Sequence, residues 1–161
     1  MLVLNKRQKF NLIKLIDVYY AEKIEYVSDA DLINYIQCKE VYKNCKIFNT
    51  LFIELKSNEE DLFKSFNRRT RKDIEKASKF NGLNIVLEIK PNSQLVKIFI
   101  QFFNEFARKK GIKNCNIKFI NNAIKEKCLA ITYAKLNDKI LCMHLYIYDL
   151  YRARAICFLL Y

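Results

Sequence analysis

The chemistry-bearing residues of this chain gather in two places, a cationic stretch near residue 70 and an alternating run around its one histidine. Residues 57–82 read SNEEDLFKSFNRRTRKDIEKASKFNG. At about 100° per residue, Lys64, Arg68, Arg71, Lys72, Lys76 and Lys79 fall on one arc of a helix. Leu62, Phe63, Phe66, Thr70, Ile74 and Ala77 fall on roughly the opposite arc. Guanidinium groups grip phosphate in pairs, so Arg68, Arg69 and Arg71, with Lys72, are candidates for holding a polyanion. The same spacing also suits a solvated helix face above an apolar face docked on a core. Asp73 lands beside the apolar arc, where it either bonds a neighbour at the core edge or points into a cleft.

His144 is the natural general base, since only imidazole changes charge near neutral pH without help. It stands between Met143 and Leu145 in an alternating run, which is equally the setting of a packed histidine. Alternation puts Cys142, His144, Tyr146 and Tyr148 on one face of a strand and Leu141, Met143, Leu145 and Ile147 on the other. In the next strand Arg152, Arg154, Ile156 and Phe158 line one face by the same count. Tyr146, Arg152 and Arg154 are therefore further candidates for binding a substrate or donor. No Ser/His/Asp order and no paired carboxylates at suggestive spacing stand elsewhere in the sequence.

Six cysteines, Cys38, Cys45, Cys115, Cys128, Cys142 and Cys157, form no C-x-x-C and share a single histidine, so a metal site is not expected. In a reducing compartment all six are expected as thiols. The chain has 161 residues and 52% hydrophobic content, enough for one domain with a real core. Its 29 Lys and Arg exceed 17 Asp and Glu by 12, which favours anionic partners such as phosphates, RNA or lipid headgroups. No apolar run reaches the length of a transmembrane helix. The basic residues of MLVLNKRQKF follow its apolar ones, the reverse of a signal peptide, so a cytoplasmic protein is expected.

The elements that must position these groups follow from periodicity. Leu12, Leu15, Ile16 and Tyr19 have helical spacing and predict a short amphipathic helix over 6–20. Leu32, Ile33 and Ile36 suggest a helical turn or two, so 1–49 is read as a helical or irregular segment. A strand is expected over 50–56, then one long helix over 57–82, capped by Ser57 and Glu60 and ended by Asn81-Gly82. A strand over 83–90, helices over 93–110 and 116–127, a hairpin over 128–149 and a strand over 152–161 complete the order. Asn137-Asp138 is the hairpin turn signal. The fold class is α+β, with a mostly antiparallel sheet flanked by helices.

This order resembles that of the FemA/FemB-type acyltransferases, the peptidoglycan-bridge aminoacyltransferases and their relatives in the GNAT superfamily. The resemblance rests on Asn49-Thr50, Phe52-Ile53 and Leu55, then on Arg71, Ile74, Lys76 and Ala77. Asp17-Val18-Tyr19-Tyr20 is similar to a D-x-Y-[YF] found early in many members. It covers about two thirds of the chain and implies that 50–161 is a partial transferase domain. It further implies acyl-coenzyme A or aminoacyl-tRNA as donor and an amine acceptor such as a lipid-linked cell-wall precursor. A place at the inner face of the membrane would follow. His144 and Asp73 are then the catalytic candidates, and Arg68, Arg69, Arg71, Lys72, Arg152, Arg154 and Tyr146 the binding ones. The chain departs from the superfamily in having no Q/R-x-x-G-x-G/A loop, because Gly82 and Gly111 stand alone. The family pattern would also continue past Tyr161, so an incomplete domain is expected.

Two other functions fit the residues. One is a non-enzymatic basic module for RNA or an anionic surface, with Tyr146, Tyr148 and Arg154 as a stacking platform. The other is an inactive transferase remnant, pairing with a second copy along the edge strand at 152–161.

Overall fold

Four asparagines open the four helices of the described residues, which are 2–9, 12–25, 29–40, 43, 53–55 and 58–160 of this computed structural model. The Asn58 side chain accepts from the Asp61 amide at 2.8 Å and opens α1 (Glu59–Ser65). Asn67 accepts from Thr70 at 2.9 Å to open α2 (Arg68–Ser78), and Asn92 from Leu95 at 2.9 Å to open α3 (Ser93–Lys110). Asn116 does the same for Phe119 at 3.1 Å at the start of α4 (Ile117–Lys125). Each amide oxygen satisfies one of the N–H groups that a helix start leaves without an intrahelical partner.

The single helix expected over 57–82 is therefore two. Phe66 takes an extended conformation (ψ 151°), and the Asn67 cap begins a new helix. Arg71 secures the break, its Nη1 donating to the carbonyls of Lys64 at 2.9 Å and Phe66 at 2.8 Å. The cap of the first helix is Asn58, and Ser57 lies outside the described residues.

The C-terminal part is an antiparallel sheet in the order β4 (Leu83–Ile89), β5 (Leu129–Leu136), β6 (Lys139–Tyr148), β7 (Ala153–Leu160). Helices α3 and α4 cover one face. Val96, Phe99, Phe119, Ile120 and Ala123 pack there with Leu129, Ile131, Met143, Leu145 and Ile147. Each large apolar side chain buried this way contributes about 1.5–3 kcal/mol, which makes this layer the main store of stability. Asn137 and Asp138 both take positive φ (47° and 68°), the conformation of a two-residue hairpin turn whose twist matches its strands.

The N-terminal part departs from expectation. Residues 6–20 form no helix but belong to β1 (Leu2–Lys9) and β2 (Ile13–Tyr19), an antiparallel pair, and β3 (Leu32–Ile36) runs parallel to β2. As the middle strand, β2 buries Ile16, Asp17 and Val18 in succession. Burial on both faces removes the alternation that marks a strand, and the apolar spacing that remains imitates a helix. Ile53–Leu55 lie in no strand, and 50–52 and 56 lie outside the described residues.

The two sheets meet through Tyr20, whose ring is 1% exposed and belongs to the C-terminal core. The whole is an α+β protein, as its order of elements predicts. No helix among the described residues is long and apolar enough to cross a membrane.

Candidate functional site

His144 owes its surroundings to one extra residue in β6. A two-residue turn at Asn137-Asp138 pairs Leu136 with Lys139 and Lys135 with Ile140, and regular continuation would set Thr132 opposite Met143. Instead the register slips at Leu141, so that Ala134 pairs with Cys142 and Thr132 with His144. Directly paired residues share a face, so the bulge puts His144 beside Thr132. Met143, Leu145 and Ile147 face the core as expected, each 1% exposed or less. Leu141 leaves their face and lines a groove beneath α2, which corrects its assignment from simple alternation.

On the face away from α3 and α4, His144 is half-buried with its Nδ1 at 3.4 Å from Thr132 Oγ1 and 3.5 Å from Tyr146 Oη. The Tyr146 ring stands edge-on to the imidazole, at 81° and 6.4 Å between centroids. Burial lowers the His144 pKa below its ordinary value of 6.5. A ring so placed is neutral at pH 7 and able to take a proton.

The cations divide into two groups. Arg68, Arg69 and Lys72 are exposed on α2, as binding a polyanion requires. Arg71 is half-buried and committed to the carbonyls that end α1, so its role is to hold the turn. Asp73 is exposed and lines the groove beneath α2 with Lys76, Ala77, Phe80, Leu83, Leu136 and Leu141. That groove has a volume of about 310 Å³ and almost wholly apolar walls. His144 does not line that groove, and Leu141, the nearest groove residue along β6, is three residues away, roughly 10 Å at strand spacing, so Asp73 is not brought to His144.

Arg152 and Arg154 are not where alternation placed them. The β6–β7 register slips between Leu145 and Tyr146, leaving Arg154 opposite Ile147 and position 158 opposite His144. The arginine positions thus fall in the opposite phase to position 158, and the expected common face is broken. The Arg152 guanidinium lies 4.6 Å from the Tyr20 ring centroid, and its Nη2 donates to Tyr20 O at 3.1 Å and Asp149 Oδ2 at 3.1 Å. Arg154 lies 5.9 Å from the Tyr19 ring centroid. These arginines join the two sheets, and Tyr146 alone of the three strand candidates stands with His144.

Burial pushes the Tyr20 hydroxyl up to about 12, with the nearby Arg154 and Arg152 opposing in part. It also pushes the Cys115 and Cys128 thiols up to about 11 and raises Cys157, so these thiols stay protonated and are poor nucleophiles. The described cysteines are free, and Cys45 lies outside the described residues. No group of three or more candidate metal ligands occurs among the described residues.

Thr132 and the exposed apolar side of β4 were not legible as parts of the site. The signal for Thr132 was its position in the hairpin, but only the bulge brings it opposite His144. Compared with known protein families and with curated proteins, the sequence matches none of them.

Proposed function

We propose that this chain is an acyl- or aminoacyl-transferase-like domain that moves its group from acyl-coenzyme A or aminoacyl-tRNA to an amine acceptor such as a cell-envelope precursor. The observation that carries this reading is the neutral, half-buried His144 held beside Thr132 and Tyr146 on an open sheet face. The amine nitrogen attacks the acyl carbonyl, a C–N bond forms, and the C–S or C–O bond to the donor breaks. His144 takes the proton that the amine sheds and returns it to the departing thiol or hydroxyl. Thioesters and aminoacyl esters are already activated, so positioning supplies most of the remaining rate. Arg68, Arg69 and Lys72 would hold the donor's phosphates, which suits their exposure on α2.

A lipid-linked precursor as acceptor, a cytoplasmic place at the inner membrane face and a second copy along the β7 edge are the partners and setting of this reading. Among the described strands β7 is an edge strand of its sheet, the position at which a further strand pairs.

The test is thermal stabilisation by donor. Acyl-coenzyme A or aminoacyl-tRNA should raise the melting temperature, and Arg68→Ala with Arg69→Ala should abolish the rise. A second reading, a basic module for RNA, draws on the same exposed cations. It would show steep salt dependence and no preference for the charged aminoacyl end.

A further inference from the structure

Leu150 and Tyr151 are the most exposed large apolar side chains among the described residues, at 92% and 86%. They stand together at the tip of the loop Asp149 to Arg152, which joins β6 to β7. The loop is built to hold them out. Asp149 Oδ1 accepts from the Tyr151 amide at 2.9 Å and from the Arg152 amide at 2.8 Å, and the Asp149 amide donates to the Arg152 carbonyl at 2.8 Å. Arg152 Nη2 lies 3.1 Å from Asp149 Oδ2, so the charges of the loop offset each other at its base. The same Nη2 donates to Tyr20 O and ties that base to the N-terminal sheet. The tip is therefore apolar, and covering it desolvates few amide donors.

Cations stand around it. Lys90, Lys125 and Lys127 are all exposed at this end of the sheet. The Lys127 carbonyl accepts from Tyr148 Oη at 3.1 Å, next to the start of the loop. The Lys90 amide donates to the Leu129 carbonyl at 3.0 Å just past the end of β4. Strand order puts β4 two spacings from β6, roughly 10 Å. Lys125 lies in the last turn of α4. Exposed Glu88 and Glu126 offset these cations only in part, Glu22 is paired with Lys39, and the chain as a whole carries +12. Ile89 and Ile124, 59% and 41% exposed, add apolar surface at the same end.

A specific protein interface takes about 20–30 residues from each side, whereas this tip offers two large side chains on a convex point. A bilayer surface accepts such a point. Leucine enters the acyl boundary while the tyrosine hydroxyl stays at headgroup level. Lysines beside it meet anionic headgroups, and apolar insertion and charge together give the attachment that neither gives alone. We propose that the Leu150–Tyr151 tip inserts into an anionic lipid bilayer surface, with Lys90, Lys125 and Lys127 against its headgroups. The docking rests on the membrane setting given above for the transferase reading, and not on the transfer chemistry.

The experiment is co-sedimentation of the full chain, without any donor, on sucrose-loaded vesicles of phosphatidylcholine alone or in equal parts with phosphatidylglycerol. The wild type should pellet with the anionic vesicles and stay in solution with the neutral ones. Leu150→Ser with Tyr151→Ser, and separately Lys90→Glu with Lys127→Glu, should each weaken binding about tenfold or more. These side chains are exposed, and a melting temperature equal to the wild type shows that each variant is folded. The sequence has no tryptophan, so Leu150→Trp puts a single indole at the tip. Its emission should shift to the blue on the anionic vesicles. No pelleting of the wild type, equal pelleting with neutral vesicles, undiminished binding by either pair of variants, or an unshifted indole on bound protein would each overturn the docking. Acyl transfer is read in solution without lipid, so either claim can fail and leave the other in place.

Discussion

The Arg152 guanidinium lies over the Tyr20 ring, 4.6 Å from its centroid, while donating to that residue's own carbonyl at 3.1 Å. One side chain thus holds the end of the N-terminal sheet to the loop before β7, 132 residues away in sequence. Removing it leaves the Tyr20 carbonyl without this donor and takes the cation from Asp149, whose Oδ1 keeps the Tyr151 and Arg152 backbone amides. Arg152→Ala should lower unfolding free energy by about 2–3 kcal/mol, the scale of hydrogen bonds to a charged group. The check is a shift of the urea midpoint at constant m-value, with Arg152→Lys recovering part of the loss.

Asp149 gives the same joint a pH dependence. Burial raises its pKa, but hydrogen bonds from the Tyr151 amide and from Arg152 outweigh this and hold it below 3.8. Because the folded value is depressed, the stabilisation is complete above the unfolded value and is lost as pH falls through the folded one. Stability should therefore drop in acid below about pH 4, and Asp149→Asn should flatten that part of the melting curve.

His144 has the same sign for a different cause. Desolvation depresses its pKa below 6.5, so protonation opposes the folded form and its contribution fades as pH falls below that value. His144→Gln should remove a titration step from the stability profile on the acid side of 6.5, seen directly by NMR of the imidazole in the wild type.

The α1–α2 break separates structural from binding arginines. Asn67→Ala removes the cap of α2 and should cost about 1 kcal/mol. Arg71→Ala should also destabilise, while affinity for a polyanion such as heparin falls less than with Arg68→Ala or Arg69→Ala. Equal loss of affinity from all three would contradict the assignment of Arg71 to the carbonyls of Lys64 and Phe66.

Gly82 supplies a further check. Its φ of 80° suits glycine, and a Cβ there would lie 2.5 Å from Asn137 Oδ1. Gly82→Ala should destabilise by about 1–3 kcal/mol, measured by thermal or urea unfolding, and combining it with Asn137→Gly should recover part of the loss.

From residue 83 onward the elements were legible because each has one covered face and a clear boundary. Asn92 and Gly111 bracket α3, and Asn137-Asp138 turns the hairpin. The N-terminal third was not, because β2 is a central strand whose consecutive burial of Ile16, Asp17 and Val18 hides its period. The cap at Asn67 is hidden in the sequence because the cationic periodicity runs unbroken across it. Within the site, His144 and Tyr146 were legible from alternation. The partner Thr132 and the true phase of Arg154 were not, because one slip beside Leu141 and another between Leu145 and Tyr146 reset the register. A bulge leaves no mark in the pattern of residue types, yet it decides which face every later side chain joins.

The most direct test of the transferase reading is amide formation from a radiolabelled acyl-coenzyme A or aminoacyl-tRNA to a primary amine, followed against pH in wild type and His144→Gln. Product is expected from the wild type, with a rate that falls in acid through a pKa below 6.5, and a loss of about 10²–10⁴-fold in the variant. No product from either donor at any pH, or an unchanged rate in His144→Gln, would contradict it.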